Sequence, residues 1–191
     1  MWSLADFEEA RVGSVSERAL LKAAQGGSEP AVEELFRRHW PDTHRAAYLI
    51  VRDAAAAEDI AQEAFLSALS ALARFDRRRP FAPWLHRIAV NRAIDWSRAR
   101  AVRSEVAASP ALLDAVGSEP ALDQALGGFG EVEAALAALP PEQRAVVVLR
   151  YLLEYTPGEI ARLLDLPRGT INSRLRRGLD RLSGSFEREG R

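Results

Sequence analysis

The C-terminal part of the chain carries side chains suited to binding a nucleic acid. Arg174, Arg177 and Arg181 recur at steps of three and four, which places them along one side of a helix. A guanidinium can donate two parallel hydrogen bonds to the N7 and O6 atoms of guanine, or it can bind phosphate. Either role is open to each of these arginines. The candidate set is Arg168, Gly169, Thr170, Asn172, Ser173, Arg174, Arg176, Arg177 and Arg181.

Two helices must position these side chains. The stretch 156–182 predicts a short helix and a longer one, joined by the turn 165–167. Thr156 can cap the first helix, and Pro157 suits its first position, where a missing N–H costs nothing. This pattern is typical of a helix-turn-helix that enters a DNA groove, although a solvated amphipathic helix in an ordinary bundle shares it. On the second helix, the side opposite the arginines is apolar at Ile171, Leu175, Gly178 and Leu182.

A second segment, residues 75–103, combines arginines with aromatic rings. Basic groups interleaved with flat rings suit single-stranded nucleic acid, because bases stack on the rings for about 1–3 kcal/mol each while guanidinium groups follow the backbone. Phe75 and Phe81 also fit a hydrophobic core, and Trp84 fits either a core or a partly exposed platform. The run 77–79 beside a proline is harder to explain by packing. The segment's further basic residues include Arg87, Arg92 and Arg98.

A polar ridge precedes that segment on a predicted helix. It consists of Glu58, Asp59, Gln62 and Glu63, beside apolar positions. By residue chemistry alone, such a ridge is the solvated side of an amphipathic helix.

Composition favours an all-helical protein and excludes several classes. The chain has 191 residues, many of them Ala and Leu, few aromatics and no cysteine, so disulfides and thiol chemistry are ruled out. It has no apolar run of about 18 residues and no signal peptide at its start, so we expect a cytoplasmic protein without membrane insertion. The three histidines lack metal-ligand spacing and no nucleophile motif occurs, so we expect no catalytic residue, no metal, no cofactor and no enzymatic activity.

The net charge of −1 hides a strong sorting of charge along the chain. Residues 31–103 and residues 144–191 each carry a net charge of +4, whereas residues 104–143 carry seven acids and no base. Two basic blocks separated by an acidic one indicate two polyanion-binding modules on a tether, although solvated helix faces would show the same charges.

Helix signals divide the chain into two small helical domains. Ser16 can cap a helix that the Gly26-Gly27 pair ends, Pro41 should kink or interrupt the next helix, and Asp53 can cap a long helix over 54–74. We expect an N-terminal extension over 1–15, a first domain over 16–103, a flexible acidic linker over 104–130, a second domain over 131–184 and a tail over 185–191.

These segments, in this order, resemble the bacterial RNA polymerase sigma factors of the extracytoplasmic-function (ECF) class, within the sigma-70 family. The resemblance covers about residues 16–184 apart from the linker. Three segments carry the resemblance. The family's polymerase-clamp helix is matched by AEDIAQEAFLSAL, and its promoter-melting and −10 segment is matched by PFAPWLHRIAVNRAIDW. Its −35-binding domain is matched by the residues from Leu139 to Leu182. The family often has Lys or Arg where this chain has Asn172, and an aromatic residue or His where it has Arg176.

The resemblance implies a transcription initiation factor that binds core RNA polymerase and promoter DNA. It would recognise the −35 element as duplex and the −10 element as melted single strand. An anti-sigma factor is a further possible partner. The implied polymerase contacts are Asp59, Gln62, Glu63 and Phe65, and the implied −10 contacts are Arg74, Phe75, Arg77, Arg78, Arg79, Phe81, Trp84, Arg87, Asn91, Arg92 and Arg98. The alternative is a stand-alone helix-turn-helix regulator with an N-terminal sensing domain.

Overall fold

The computed structural model describes residues 16–107 and 130–189, and all regular structure within these ranges is helical. This confirms the all-α expectation. The expected extension over 1–15 and residues 108–129 of the expected linker lie outside the described part. None of the described helices combines the length and apolarity that crossing a bilayer requires. The helices are α1 (Glu17–Gln25), α2 (Glu29–Val51), α3 (Ala54–Ala71), α4 (Phe81–Ala107), α5 (Gly130–Ala137), α6 (Pro141–Tyr151), α7 (Pro157–Leu164) and α8 (Arg168–Glu189).

The first lobe consists of α1 to α4, and its helix boundaries follow local sequence signals. The Ser16 side chain accepts a hydrogen bond from the Ala19 N–H at the start of α1, and the left-handed Gly27 (φ +88°) follows its end. Asp53 caps α3 in the same way, through the N–H of Ala56. After α3, a 3₁₀ turn over Leu72–Arg74 leads into the exposed loop before α4.

Pro41 does not interrupt α2, although interruption is one of the two effects that the sequence predicts for it. The helix runs unbroken from Glu29 to Val51, with Pro41 on its exposed side. Residues on either side of Pro41 are buried: His39 is 8% exposed and Thr43 is inaccessible. Tertiary packing before and after the proline therefore holds the helix together across the missing N–H.

The second lobe contains the predicted helix-turn-helix. Thr156 and Glu159 form a reciprocal capping box at the start of α7, with Pro157 at the first helical position. Asp165, in the left-handed conformation, begins the turn into α8. A Cβ added at Gly178 would lie 3.0 Å from Val147 Cγ2, so glycine lets α8 approach α6 closely.

The two lobes share one hydrophobic core. Ile50 from α2 and Val90 from α4 belong to the same buried cluster as Val146, Leu149 and Ile171 of the second lobe. A smaller cluster fills the far end of the first lobe, around Leu21, Leu35 and Phe81. The described lobes pack directly against each other through α2, α4, α6 and α7.

Candidate nucleic-acid and polymerase surfaces

The outer face of α8 presents the predicted row of arginines. Ile171 is fully buried and Leu175 is 9% exposed, so α8 packs on its apolar side as the spacing predicts. Its opposite side is accessible to a ligand. Arg168, Gly169, Asn172, Arg176, Arg177 and Arg181 are exposed, whereas Thr170, Ser173 and Arg174 are partly buried.

The arginine-rich loop of the first lobe is exposed at every residue from 76 to 80, and Arg74 before it is exposed as well. The Asp76 carboxylate accepts from the N–H of Arg78 at 3.0 Å, and the Asp76 carbonyl accepts from the N–H of Arg79 at 2.9 Å. This internal turn presents Arg77, Arg78 and Arg79 to solvent.

A stacked pair of rings borders this loop. Phe75 and Trp84 lie face to face, with ring centroids 4.5 Å apart, and both are partly exposed. Trp84, Arg87 and Asn91 follow one another at helical spacing on α4, and the latter two are exposed. The loop, the stacked rings and this face of α4 therefore form one continuous basic and aromatic surface.

Two aromatic residues that the resemblance implies as contacts have their rings in the core, and for Phe81 this is the core position that its residue type also fits. Phe81 is inaccessible to solvent, packed edge-on against both Phe75 and Trp84, so it supports the ring pair instead of meeting a ligand. Phe65 is only 3% exposed and packs against Phe36, so it does not face a partner either. Both rings follow the apolar stripe of their helices, which the sequence also shows.

The polar ridge on α3 is exposed at Glu58, Asp59, Gln62 and Glu63, and sequence reasoning missed its apolar member. Leu66 is 64% exposed and lies one turn after Gln62 and Glu63. Its position in the sequence could have revealed this exposure, because Leu66 lies outside the apolar stripe of α3 to which the buried Phe65 belongs.

The α3 ridge and the α4 segment meet in a cleft. Arg92 of α4 forms an ion pair with Glu63 of α3 and donates a hydrogen bond to the Ser67 hydroxyl at 2.9 Å. Asp59, Asp95 and Trp96 also line this cleft, whose volume is about 480 Å³. One expected DNA-binding residue and one expected polymerase-binding residue thus contact each other directly.

Arg98, another expected −10 residue, is held by the second lobe. Its Nε donates to Glu142 Oε1 of α6 at 2.7 Å. Burial is the largest single influence on Glu142 and raises its pKa. The hydrogen bond from Arg98, a backbone hydrogen bond and the charges of Arg98 and Arg174 together outweigh burial, so the pKa lies below its ordinary value. The arginines of the two lobes therefore converge on one carboxylate.

Buried or partly buried polar contacts join the lobes at three further points. The Arg52 guanidinium of the first lobe donates to Glu133 Oε2 of α5 at 2.6 Å. Arg144 of α6 donates to the carbonyl of Ile50 at 2.6 Å. His86 Nδ1 and the Tyr155 hydroxyl are hydrogen-bonded at 2.8 Å, and burial, with a smaller contribution from His39, lowers the pKa of His86 to about 4.

Within residues 16–103 and 132–184, no group of three or more His, Asp or Glu side chains is placed to hold a metal ion. The concentration of arginines and stacked rings on exposed surfaces is the chemistry of polyanion binding.

Comparisons with known proteins identify the family. The family model for Sigma-70 region 2 matches residues 35–103, and that for Sigma-70, region 4 matches residues 129–182. The ECF RNA polymerase sigma factor SigM of Mycobacterium tuberculosis is 35% identical over 168 residues, which cover 88% of this chain and 83% of SigM. The chain belongs to the ECF sigma factors.

Other sigma factors extend the similarity. SigW of Bacillus subtilis is 31% identical over 173 residues, covering 85% of this chain and 92% of SigW. The solved structure of CnrH in complex with the cytosolic domain of CnrY matches with a TM-score of 0.66 at 28% identity, over 90% of this chain and 97% of that one. RpoE of Bartonella quintana, solved with the anti-sigma factor NepR, shares the fold at a TM-score of 0.65 and 22% identity.

The region matches coincide with the candidate surfaces of this sigma factor. The region 2 match contains the α3 ridge, the arginine-rich loop and the α4 face, and the region 4 match contains the helix-turn-helix. The chain is therefore a sigma factor that acts in transcription initiation.

Proposed function

We propose that this sigma factor binds core RNA polymerase and directs it to promoters through two DNA-binding surfaces. The exposed arginine face of α8 would bind the −35 element as duplex. The loop 76–80 and the face formed by Trp84, Arg87 and Asn91 would bind the −10 element as single strand. The observation that carries the proposal is the pairing of these two surfaces, one suited to a duplex groove and one to unstacked bases, on a single chain.

The chemistry of the first surface suits a melted strand. Removing a base from a duplex stack costs a few kcal/mol, which capture by a protein must offset. The partly exposed Phe75–Trp84 pair offers an aromatic surface for an unstacked base, and the exposed arginines of the loop offer charge for the phosphates.

The α3 ridge would bind the polymerase. Asp59, Gln62 and Glu63 present acidic and amide groups in a row, and the exposed Leu66 adds an apolar contact beside them. Mounting both DNA-binding surfaces on the polymerase would raise their effective concentration at a promoter, so two weak sites would act together. Catalysis would belong to the polymerase.

An anti-sigma factor is a proposed further partner. RpoE of Bartonella quintana, which shares the fold, was solved with the anti-sigma factor NepR, and CnrH was solved with the cytosolic domain of CnrY. We propose that this sigma factor also binds an anti-sigma factor, and we assign no identity to that partner.

A gel-shift experiment separates this proposal from a stand-alone helix-turn-helix regulator. Promoter duplexes are incubated with the full chain, with core polymerase, and with both. The proposal expects sequence-specific retention only when both proteins are present. Tight sequence-specific binding by the free chain, unaffected by polymerase, would favour the stand-alone regulator.

A further inference from the structure

Helix α1 contacts both ends of the arginine-rich loop. At its C-terminal end, the Gln25 side-chain amide donates to the carbonyl of Leu72 at 2.8 Å and to the carbonyl of Phe75 at 2.9 Å. At its N-terminal end, Glu17 Oε1 accepts a hydrogen bond from the N–H of Phe81 at 3.0 Å. Two side chains from one nine-residue helix thus fix the backbone immediately before and after residues 76–80.

Both anchors are themselves held in place. The other carboxylate oxygen of Glu17 lies 3.2 Å from Nε2 of His39, whose buried ring packs against Phe81. Leu20 and Leu21 bury the inner face of α1 against the same cluster that contains Leu35 and Phe81. The loop is therefore attached to a packed helix and not only to its neighbours in sequence.

Between the two anchored ends, residues 76–80 form a single tight turn. Within the loop, Asp76 accepts from the backbone N–H groups of Arg78 and Arg79. Ordering the backbone of a free loop costs about 1–2 kcal/mol per residue. A loop already fixed at both ends would spare much of that cost when it binds a strand, which is the advantage of preorganisation.

We propose that Gln25 and Glu17 are positioning residues for −10 recognition, acting through the loop and not by touching DNA. This inference rests on the proposed function of the loop. Both residues precede residue 35, where the region 2 match begins, so the family match assigns them no role. Fixing the carbonyl of Phe75 also places the stacked Phe75–Trp84 pair relative to the loop arginines.

The test compares variants that remove an anchor with variants that keep it. Gln25→Met removes both amide donors at similar length, and Glu17→Ala removes the acceptor for the Phe81 N–H. Glu17→Gln retains an oxygen that can accept this hydrogen bond, so it is the conservative variant. Lys22→Ala, at an exposed position of α1, is the matched control.

The probe is a single-stranded DNA that carries a −10 sequence. This sequence is the one that the wild-type chain and core polymerase together enrich from a promoter library. A second strand replaces its most strongly selected base. The measured quantity is the ratio of the two affinities for full-length chain bound to polymerase. A variant that is merely less stable lowers both affinities alike, so the ratio reports on positioning alone. Affinity for −35 duplex serves as the internal reference.

We expect the affinity ratio to fall by about fivefold to tenfold in Gln25→Met and Glu17→Ala. It should stay at the wild-type value in Glu17→Gln and Lys22→Ala, and −35 affinity should not change. An unchanged ratio in both Gln25→Met and Glu17→Ala would overturn the positioning role while leaving the proposed function intact. A wild-type chain with no preference between the strands would overturn the proposed function, and this inference with it.

Discussion

The Arg144 guanidinium of the second lobe donates a hydrogen bond to the Ile50 carbonyl of the first lobe at 2.6 Å. It also donates to the carbonyls of Ala137 and Leu139, at 2.9 Å and 2.8 Å. Arg144 is 8% exposed, and burial, with Arg52 nearby, lowers its pKa to about 10, so it stays charged at neutral pH. One buried cation therefore satisfies carbonyl oxygens at the ends of α2 and α5.

Replacing Arg144 should destabilise the protein strongly. Arg144→Met fills a similar volume but leaves three carbonyls without their donor, so we expect a loss of free energy of unfolding on the order of 3 kcal/mol. Chemical denaturation followed by circular dichroism measures it. The control is Arg150→Met, whose guanidinium makes one 3.3 Å hydrogen bond to the Tyr155 carbonyl. Equal losses in the two variants would contradict a special role for Arg144.

Removing the Glu142 carboxylate should strengthen binding of single-stranded DNA by the free chain. Glu142 holds Arg98 at 2.7 Å, whereas the ion pair of Arg98 with Asp95 is longer, at 3.8 Å. Glu142→Gln would therefore weaken the hold on a guanidinium that the −10 surface is proposed to use. We expect an affinity gain of about threefold to tenfold at low salt, measured by fluorescence anisotropy with a −10 strand.

Two further variants test this explanation. Glu154→Gln changes the same charge at an exposed position of the second lobe and should have a smaller effect. In an Arg98→Ala background, Glu142→Gln should give no gain. A gain that persists in that background would exclude Arg98 as the cause.

Arg177 should contribute one phosphate contact on α8. Arg177→Ala should weaken promoter binding by the polymerase complex and lower the slope of log affinity against log salt by about one unit. Arg162→Ala removes an exposed arginine from α7 and serves as the control. A slope identical to the wild type would remove Arg177 from the phosphate-binding set.

Acid should destabilise the contact between His86 and Tyr155. Burial lowers the pKa of His86 to about 4, against an ordinary value of 6.5, so the folded protein favours the neutral form of this side chain. Between pH 6.5 and pH 4, His86 is protonated more readily in the unfolded chain than in the folded protein. Its contribution to the free energy of unfolding is therefore complete above pH 6.5 and is lost as the pH falls towards 4. The loss attributable to His86 is about 3 kcal/mol.

The variant His86→Asn isolates this contribution, because it retains a hydrogen-bonding group near Tyr155 but does not titrate. Denaturation midpoints for both proteins are measured from pH 8 to pH 4. Other groups titrate in both chains, so the difference between the two curves reports on His86. Parallel curves would show that the protonation of His86 does not destabilise the fold.

Local features were predictable from the sequence because local physics decides them. Ser16, Asp53 and Thr156 cap helices in the structure as their sequence contexts predict, and the apolar side of α8 is buried at Ile171 and Leu175. These outcomes depend on residues within about one helical turn, where spacing and side-chain type are sufficient.

Long-range contacts were not predictable, because no local pattern encodes them. Gln25 reaches carbonyls 47 and 50 residues away, and Arg144 reaches Ile50 across 94 residues. Arg144 belongs to a basic block that sequence analysis reads as solvated or DNA-facing, yet it is buried. Pro41 does not interrupt α2, because packing on both sides of it offsets the local penalty.

The most direct test of the account is to map transcription start sites on a promoter library with purified core polymerase, with and without this chain. We expect the chain to add a set of start sites preceded by two shared sequence elements. A variant carrying Asp59→Lys and Gln62→Ala should not add them, whereas Glu33→Lys, at an exposed position of α2, should. Identical start sites with and without the wild-type chain, and no co-elution with polymerase, would contradict the account.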